Sequence, residues 1–146
     1  TSVTLAFGAD GDELAFRLGV AGWHHAPNAA LAAWAARRLA LPDATIVAGL
    51  EALRLPGVLE PLGGDPLVVV DAAHNAASMK ALIETLGPIR ISGRRRLIFA
   101  STRDKDIRGM FEPALDYFDE VTLTRFANNP RAAGVEDLER LARHSY

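Results

Sequence analysis

The sequence predicts an α/β chain whose second part carries a mostly parallel, open sheet. Three observations lead there. From Val58 onward, short apolar runs alternate with helical patterns across short connections, the rhythm of strand–helix–strand units. The run Leu67–Asp71 is almost continuously apolar up to its acid, as expected of a strand covered on both faces. Residues able to do chemistry follow directly on the strands, at the carboxyl edge where open α/β sheets hold their ligands. Together these describe a Rossmann-like architecture.

Composition sets the outer bounds. A chain of 146 residues suffices for one domain, with room for a piece of a second. With 49% hydrophobic and 23% charged residues it has an ordinary globular composition. A net charge of -2 gives no reason to expect nucleic acid or an anionic membrane as partner. The run Arg94–Arg96 reads as a solvated strand entrance. There is no cysteine, which excludes disulfides and thiolate metal sites and fits a cytoplasmic location. No apolar run approaches the roughly 18 residues of a membrane span, and the first residues have no signal-peptide pattern. The sequence does not begin with Met, so it is expected to be processed or to be a piece of a longer chain.

The elements follow in order. Val3–Phe7 and Leu14–Leu18 read as two strands around the turn-rich loop Gly8–Asp12. A helix is expected over Asn28–Leu41, with Pro27 in its first turn and Pro42 ending it. A second helix is expected over Asp43–Arg54, with Asp43 as its N-cap. Pro56-Gly57 breaks the chain and marks the expected domain boundary. Beyond it come a strand at Val58–Leu62, a turn at Gly63–Asp65 and the apolar strand Leu67–Asp71. A helix at Ala77–Leu86, a strand at Arg95–Ser101, a helix at Asp106–Phe118, a strand at Glu120–Thr124 and a helix at Val135–Arg143 complete the pattern. The pattern stops in a helix, which suggests a sheet still missing its last strands.

A phosphate-binding G-x-x-x-x-G-K-[ST] loop needs a Gly-Lys pair, and neither Lys80 nor Lys105 follows a glycine. No G-x-G-x-x-G follows a strand. Nucleotide phosphates, if used, must be held by another segment. Asp71, His74 and Asn75 end the strand at Val70; the Asp suits an ammonium, and the His a carboxylate or a proton. Asp71 or Asn75 could equally do no more than cap the next helix. The adjacent His24 and His25 point different ways and lack a third ligand, so no metal site is expected. Asn28 could cap its helix. Thr102–Asp106 supplies acids that could cap the following helix. Arg131, in Asn128-Asn129-Pro130-Arg131, could clamp a carboxylate with its planar fork. The convergence of three carboxyl-end loops points to a small polar ligand.

These residues resemble a known family. "DAAHN" at Asp71–Asn75 is similar to the D-G-A-H-N signature of the folylpolyglutamate synthases, the folate branch of the Mur ligase superfamily. "STRDKDIRGM" at Ser101–Met110 resembles that branch's D-K-D-I segment, and "NNPRA" at Asn128–Ala132 its next loop. "GWHHAPNAALA" at Gly22–Ala32 resembles G-x-H-Q-x-x-N-A, and "LPGVLE" at Leu55–Glu60 the hinge W-P-G-R-L-E. Enzymes of this family join an amino acid to a carboxylate through an acyl-phosphate, using ATP and Mg2+ held mainly by a central ATPase domain. The resemblance implies that residues 1–53 end that ATP-binding domain and that residues 57–146 are most of the C-terminal glutamate ligase domain. It implies a truncated piece, inactive alone, of an enzyme adding L-glutamate to folate or dihydropteroate in the cytoplasm.

Role by role, the resemblance implies that Asp71 holds the ammonium of glutamate and that His74 helps place it, the two being the catalytic pair. Asn75 and Arg131 would join them in binding substrate. His24 and Asn28 would lie near the adenine, with Lys105 also on the nucleotide side. Three departures stand out. Val58 occupies the hinge position where the family has an Arg that reaches the phosphates, with Arg54 a candidate substitute. His25 stands where Gln is usual, and Ala72 where the motif has Gly. Two alternatives follow: a UDP-muramyl-peptide ligase of cell-wall synthesis, since "NNPR" resembles that branch's D-N-P-R, or a degenerate binding domain.

Overall fold

The computed structural model describes residues 2–7 and 12–144. The loop Gly8–Gly11 and the last two residues lie outside the described residues. The chain is mixed α/β and divides into two compact units, one ending at Ala72 and one starting at Ala73.

The first unit opens with β1 (Ser2–Phe7) and β2 (Asp12–Arg17), paired antiparallel with Val3 opposite Phe16. Side chains alternate across the pleat, so Val3, Leu14 and Phe16 turn inward together. A 3-10 turn (Trp23–His25) leads into α1 (Ala26–Arg38), followed by α2 (Asp43–Ala52). The buried side chains Ala26, Ala29 and Ala33 of α1, and Ile46 and Leu50 of α2, meet the hairpin's inner face in one core. Arg37 ties the layers at their rim. Its guanidinium bonds both Asp43 oxygens (2.9 and 2.7 Å) and reaches Asp12, and it lies 4.1 Å above the Phe7 ring.

One expected helix end and one expected cap differ, for local reasons. α1 stops at Arg38, before Pro42. Ala40 takes a left-handed φ of 57°, its N–H bonds Arg37 O, and Leu41 N–H bonds Ala36 O. This is the Schellman pattern, closed here by alanine instead of glycine. Asp43 is not the N-cap of α2; Pro42 is, in extended conformation, and the Asp43 carboxylate is taken by Arg37.

Gly19 fixes how β2 leaves the hairpin. Its N–H bonds Leu50 O, and a Cβ there would lie 2.4 Å from Glu51 O and 2.5 Å from Leu53 O. Those neighbours are backbone and have no room to retreat. Gly19→Ala is expected to cost about 2 kcal/mol, the scale of overpacking at a close approach. Urea unfolding followed by tryptophan emission measures it, because Trp23 and Trp34 both lie in this unit. An unchanged midpoint would mean that α2 does not abut Gly19.

β3 (Glu60–Gly63) and β4 (Val68–Val70) close the unit as an antiparallel pair. The apolar strand therefore differs from expectation. Val68 and Val70 are exposed, as are Leu62 and Leu67. Apolar composition alone does not say which faces a unit covers.

The second unit contains α3 (Ala76–Leu86), β5 (Arg96–Phe99), α4 (Ile107–Tyr117), β6 (Glu120–Leu123) and α5 (Val135–Arg143). β5 and β6 run parallel, Arg96 opposite Glu120 and Phe99 opposite Leu123. Met79 and Leu82 of α3, Met110, Phe111 and Ala114 of α4, Leu138 of α5 and Phe99 of β5 are all buried. Ile98, on the opposite face of β5, is 74% exposed, so the pair is covered on its Phe99 face. The arginine run behaves as a strand entrance. Arg95 N–H bonds Asp119 at 2.7 Å, while Arg94 and Arg96 both pair with Glu120. Such exposed pairs fix register more than they stabilise.

Candidate functional site

The parallel pairing sends the ends of β5 and β6 to the same edge, and the loops that follow are stitched together there. Arg103 N–H bonds Arg131 O at 2.9 Å, Ala133 N–H bonds Ser101 O at 2.9 Å, and Thr102 bridges Ala132. The Arg103 guanidinium donates to Pro130 O. Of the carboxyl-end loops expected to converge, these two do so within one unit.

Two helices begin at this site. Asn75 Oδ1 accepts from Ser78 N–H at 2.8 Å, while Ser78 Oγ accepts from Asn75 N–H at 3.1 Å, a reciprocal capping box at the start of α3. Ser78 Oγ also accepts from His74 N–H at 3.0 Å, which anchors the backbone of His74. Asp106 Oδ1 caps α4 by accepting from Gly109 N–H at 3.0 Å. Gly109 lets the two helix starts approach: a Cβ there would lie 3.1 Å from the Ala76 Cβ and 2.3 Å from Asp106 Oδ2. Paired helix N-termini favour negative charge. Asn75 and Asp106 thus perform the capping considered for them from sequence.

Arg131 projects from the loop after β6. Asn129 Oδ1 accepts its N–H at 2.9 Å, and its Nη1 lies 3.7 Å from Asp104 Oδ2. Lys105 sits in the turn before α4, its N–H bonding Thr102 O. The Thr102 hydroxyl, followed by its own backbone and then Arg131 and Lys105, holds the Asp104 carboxyl below the usual carboxylate range.

The first unit holds His24, Asn28 and Asp71. His24 is exposed and its ring meets that of His25 at 4.0 Å between centroids. Asn28 is exposed on the first turn of α1, and no side chain caps that helix, so the cap considered for Asn28 is not made. Asp71 is half-buried and its Oδ2 accepts Leu59 N–H at 2.9 Å. Leu59 is buried at a left-handed φ of 46°, so Asp71 anchors a turn that leucine rarely adopts. His25 Nε2 is buried with no hydrogen-bond partner among the described residues. Burial, then the neighbouring His24, pushes the His25 imidazole below its ordinary range, and Asp71 opposes them.

Among the described residues no group of three or more His, Asp or Glu side chains is placed to hold a metal ion. No helix of the described residues is long and apolar enough to cross a membrane. A depression of about 470 Å³, lined by Arg17, Glu51 and Arg54 among others, contains none of the expected site residues. Arg54 is committed there: its Nη1 donates to Gly19 O, Glu51 O and Leu53 O at 3.3, 3.1 and 2.7 Å. It is held by its own unit's backbone, which argues against its replacing the hinge arginine.

Sequence reasoning missed two contacts, Asp71 with Leu59 and Asp104 with Arg131, and the influence of the Asp71 charge on His25. None has a local signal. The caps by Asn75 and Asp106 were legible in the sequence, while the reciprocal bond from Ser78 was not foreseen.

Comparison with known proteins now adds to this geometry. The family model described as "Mur ligase, glutamate ligase domain" matches residues 59–146. A probable bifunctional folylpolyglutamate synthase/dihydropteroate synthase of Halobacterium salinarum is 34% identical over 143 residues, 97% of this chain and 17% of that protein. A solved folylpolyglutamate synthase of Mycobacterium tuberculosis, complexed with ADP and AMPPCP, superposes with a TM-score of 0.82 at 32% identity, covering 91% of this chain and 31% of that one. A bifunctional folylpolyglutamate synthase/dihydrofolate synthase with Mn, AMPPNP and L-glutamate bound gives 0.77 at 27% identity, covering 92% and 32%. The chain thus spans about a third or less of the proteins it matches.

Proposed function

The chain belongs to the Mur ligase family, and from that premise we propose that it is the amino-acid-binding part of an ATP-dependent ligase adding L-glutamate to a folate or dihydropteroate carboxylate. On this reading residues 1–53 close the ATP-binding domain and residues 57–146 form the glutamate ligase domain. The observation that supports it most is the meeting of two capped helix starts with Lys105 and Arg131 at the edge of β5–β6. That edge is preorganised for an anion, as an incoming dicarboxylic amino acid requires.

The reaction forms an amide and releases ADP and phosphate. ATP supplies the activation, converting the acceptor carboxylate to an acyl-phosphate. The ammonium of glutamate first gives up a proton to solvent; the free amine attacks the acyl carbon, the C–O bond to phosphate breaks, and the nitrogen loses a second proton to solvent or to the departing phosphate. What this chain contributes is position and charge. Asp71 holds the ammonium, His74 is fixed by Ser78 to place the amino acid, and Arg131 grips a carboxylate. Asn75 contributes through the helix start that it caps. His24, exposed on the 3-10 turn, and Asn28, exposed on the first turn of α1, lie near the adenine on this reading, with Lys105 on the nucleotide side. On this reading Mg2+ is held mainly by the central ATPase domain, with the phosphates.

Glutamate-dependent ADP release by the full-length protein tests this reading, with dihydropteroate, tetrahydrofolate and a UDP-muramyl peptide as acceptors. Release with a folate acceptor is expected. Release only with the muramyl acceptor and its amino acid would move the protein to the cell-wall branch. A folded, ATP-binding protein with no turnover would make the domain a binding module.

A further inference from the structure

We propose that Asp104 is an internal stand-in for the substrate carboxylate: it holds the Arg131 guanidinium until the amino acid arrives, and so sets how tightly that amino acid binds. This rests on the ligase reading above and on Arg131 as its carboxylate clamp.

Among the charged side chains of the two loops at the edge of β5–β6, Arg103 to Asp106 and Arg131 lie around the stitched segment, and two of them are committed to structure. Arg103 is spent on Pro130 O, and Asp106 on the first turn of α4. Asp104, Lys105 and Arg131 remain, two cations facing one carboxylate. The backbone of Arg131 is fixed at both ends, by Asn129 Oδ1 on its N–H and by Arg103 N–H on its carbonyl. Its head group is held differently. Nη1 lies 3.7 Å from Asp104 Oδ2, beyond hydrogen-bond range, and the two side chains are 70% and 48% exposed. An arriving carboxylate offers two short parallel bonds to the same fork and displaces only this long contact.

The Thr102 hydroxyl and the backbone of Asp104 itself, ahead of Arg131 and Lys105, favour the ionised form of Asp104. When Arg131 swings to substrate, Asp104 stays behind as a fixed charge. The pair therefore acts as a competitor built into the site. It keeps the guanidinium aimed at the edge and weakens binding of any ligand that cannot displace a carboxylate.

The test uses the full-length ligase with L-glutamate as variable substrate. Asp104→Asn keeps the shape but removes the charge. Its KM for L-glutamate is expected to fall by about three- to fivefold, the scale of an exposed ion pair, with the change in KM and not in kcat. In an Arg131→Ala background, which raises KM by itself, Asp104→Asn is expected to have no further effect. A KM that is unchanged or higher in Asp104→Asn, while Arg131→Ala still raises it, would overturn this proposal alone. Arg131→Ala with wild-type KM would overturn the clamp as well. A wild-type protein without glutamate turnover would overturn the ligase reading itself. Circular dichroism of each variant separates these outcomes from misfolding.

Discussion

Phe111→Ala is expected to destabilise the second unit by about 3–5 kcal/mol, the range for deleting a buried aromatic ring. Phe111 is fully buried on α4, and its ring stands 4.8 Å from that of Phe99 at a tilt of 45°. Met110 and Leu138 are equally enclosed, so little around the ring can collapse into the hole. A domain of this size is stabilised by only about 0.05–0.15 kcal/mol per residue, so the loss approaches the whole of the unit's stability. Phe111→Leu retains most of the volume and should cost less than about 1.5 kcal/mol. Urea unfolding followed by far-UV circular dichroism compares the two. An alanine variant within about 1 kcal/mol of wild type would mean that α4 does not close the core over β5.

The result bears on function because α4 also delivers the site. Its first turn carries the Asp106 cap and its preceding loop carries Asp104 and Lys105. Movement of α4 would open the approach of Gly109 to Ala76 and separate the two helix starts. The core under Phe111 and the anion-favouring edge are opposite ends of one packing arrangement.

How much of this was legible in the sequence depends on the range of the interaction. Among the described residues the pattern revealed each α-helix and strand, because Leu14 and Phe16 alternate and Met110, Phe111 and Ala114 recur at helical spacing, but not the 3-10 turn at Trp23–His25. The caps of α3 and α4 were legible too, since an Asn or Asp before a helical run competes for the first free N–H groups. The end of α1 was misread because Ala40 carries a left-handed turn with no glycine to announce it. The Asp43 cap was misread because Arg37, from the helix before, takes its carboxylate. The exposure of β4 was invisible for the same reason: a valine run records preference, not cover. Motif resemblance proposes the chemical residues, while the partners that touch them, Leu59 for Asp71 and Asp104 for Arg131, depend on chain segments brought together only by folding.

Asp71→Asn should therefore separate what the sequence could not. Asp71 has a backbone duty, accepting Leu59 N–H beneath a left-handed leucine, and a proposed duty toward the ammonium of glutamate. An asparagine retains an oxygen acceptor for Leu59 but not the charge, so the fold should hold while kcat/KM for L-glutamate falls by about 10- to 100-fold, the worth of one charge-assisted hydrogen bond. KM for ATP should change little. Asp71→Ala removes the acceptor as well, and should add about 1–3 kcal/mol of instability from the orphaned amide. His25 supplies an independent readout. The Asp71 charge favours its imidazolium, so in Asp71→Asn the His25 pKa, followed by NMR of its ring protons, should move further down. If the imidazole shifts and the kinetics do not, the carboxylate lies where the structure places it but serves only the Leu59 turn. If the kinetics collapse in the asparagine variant while its unfolding midpoint stays, the charge itself is what the substrate uses.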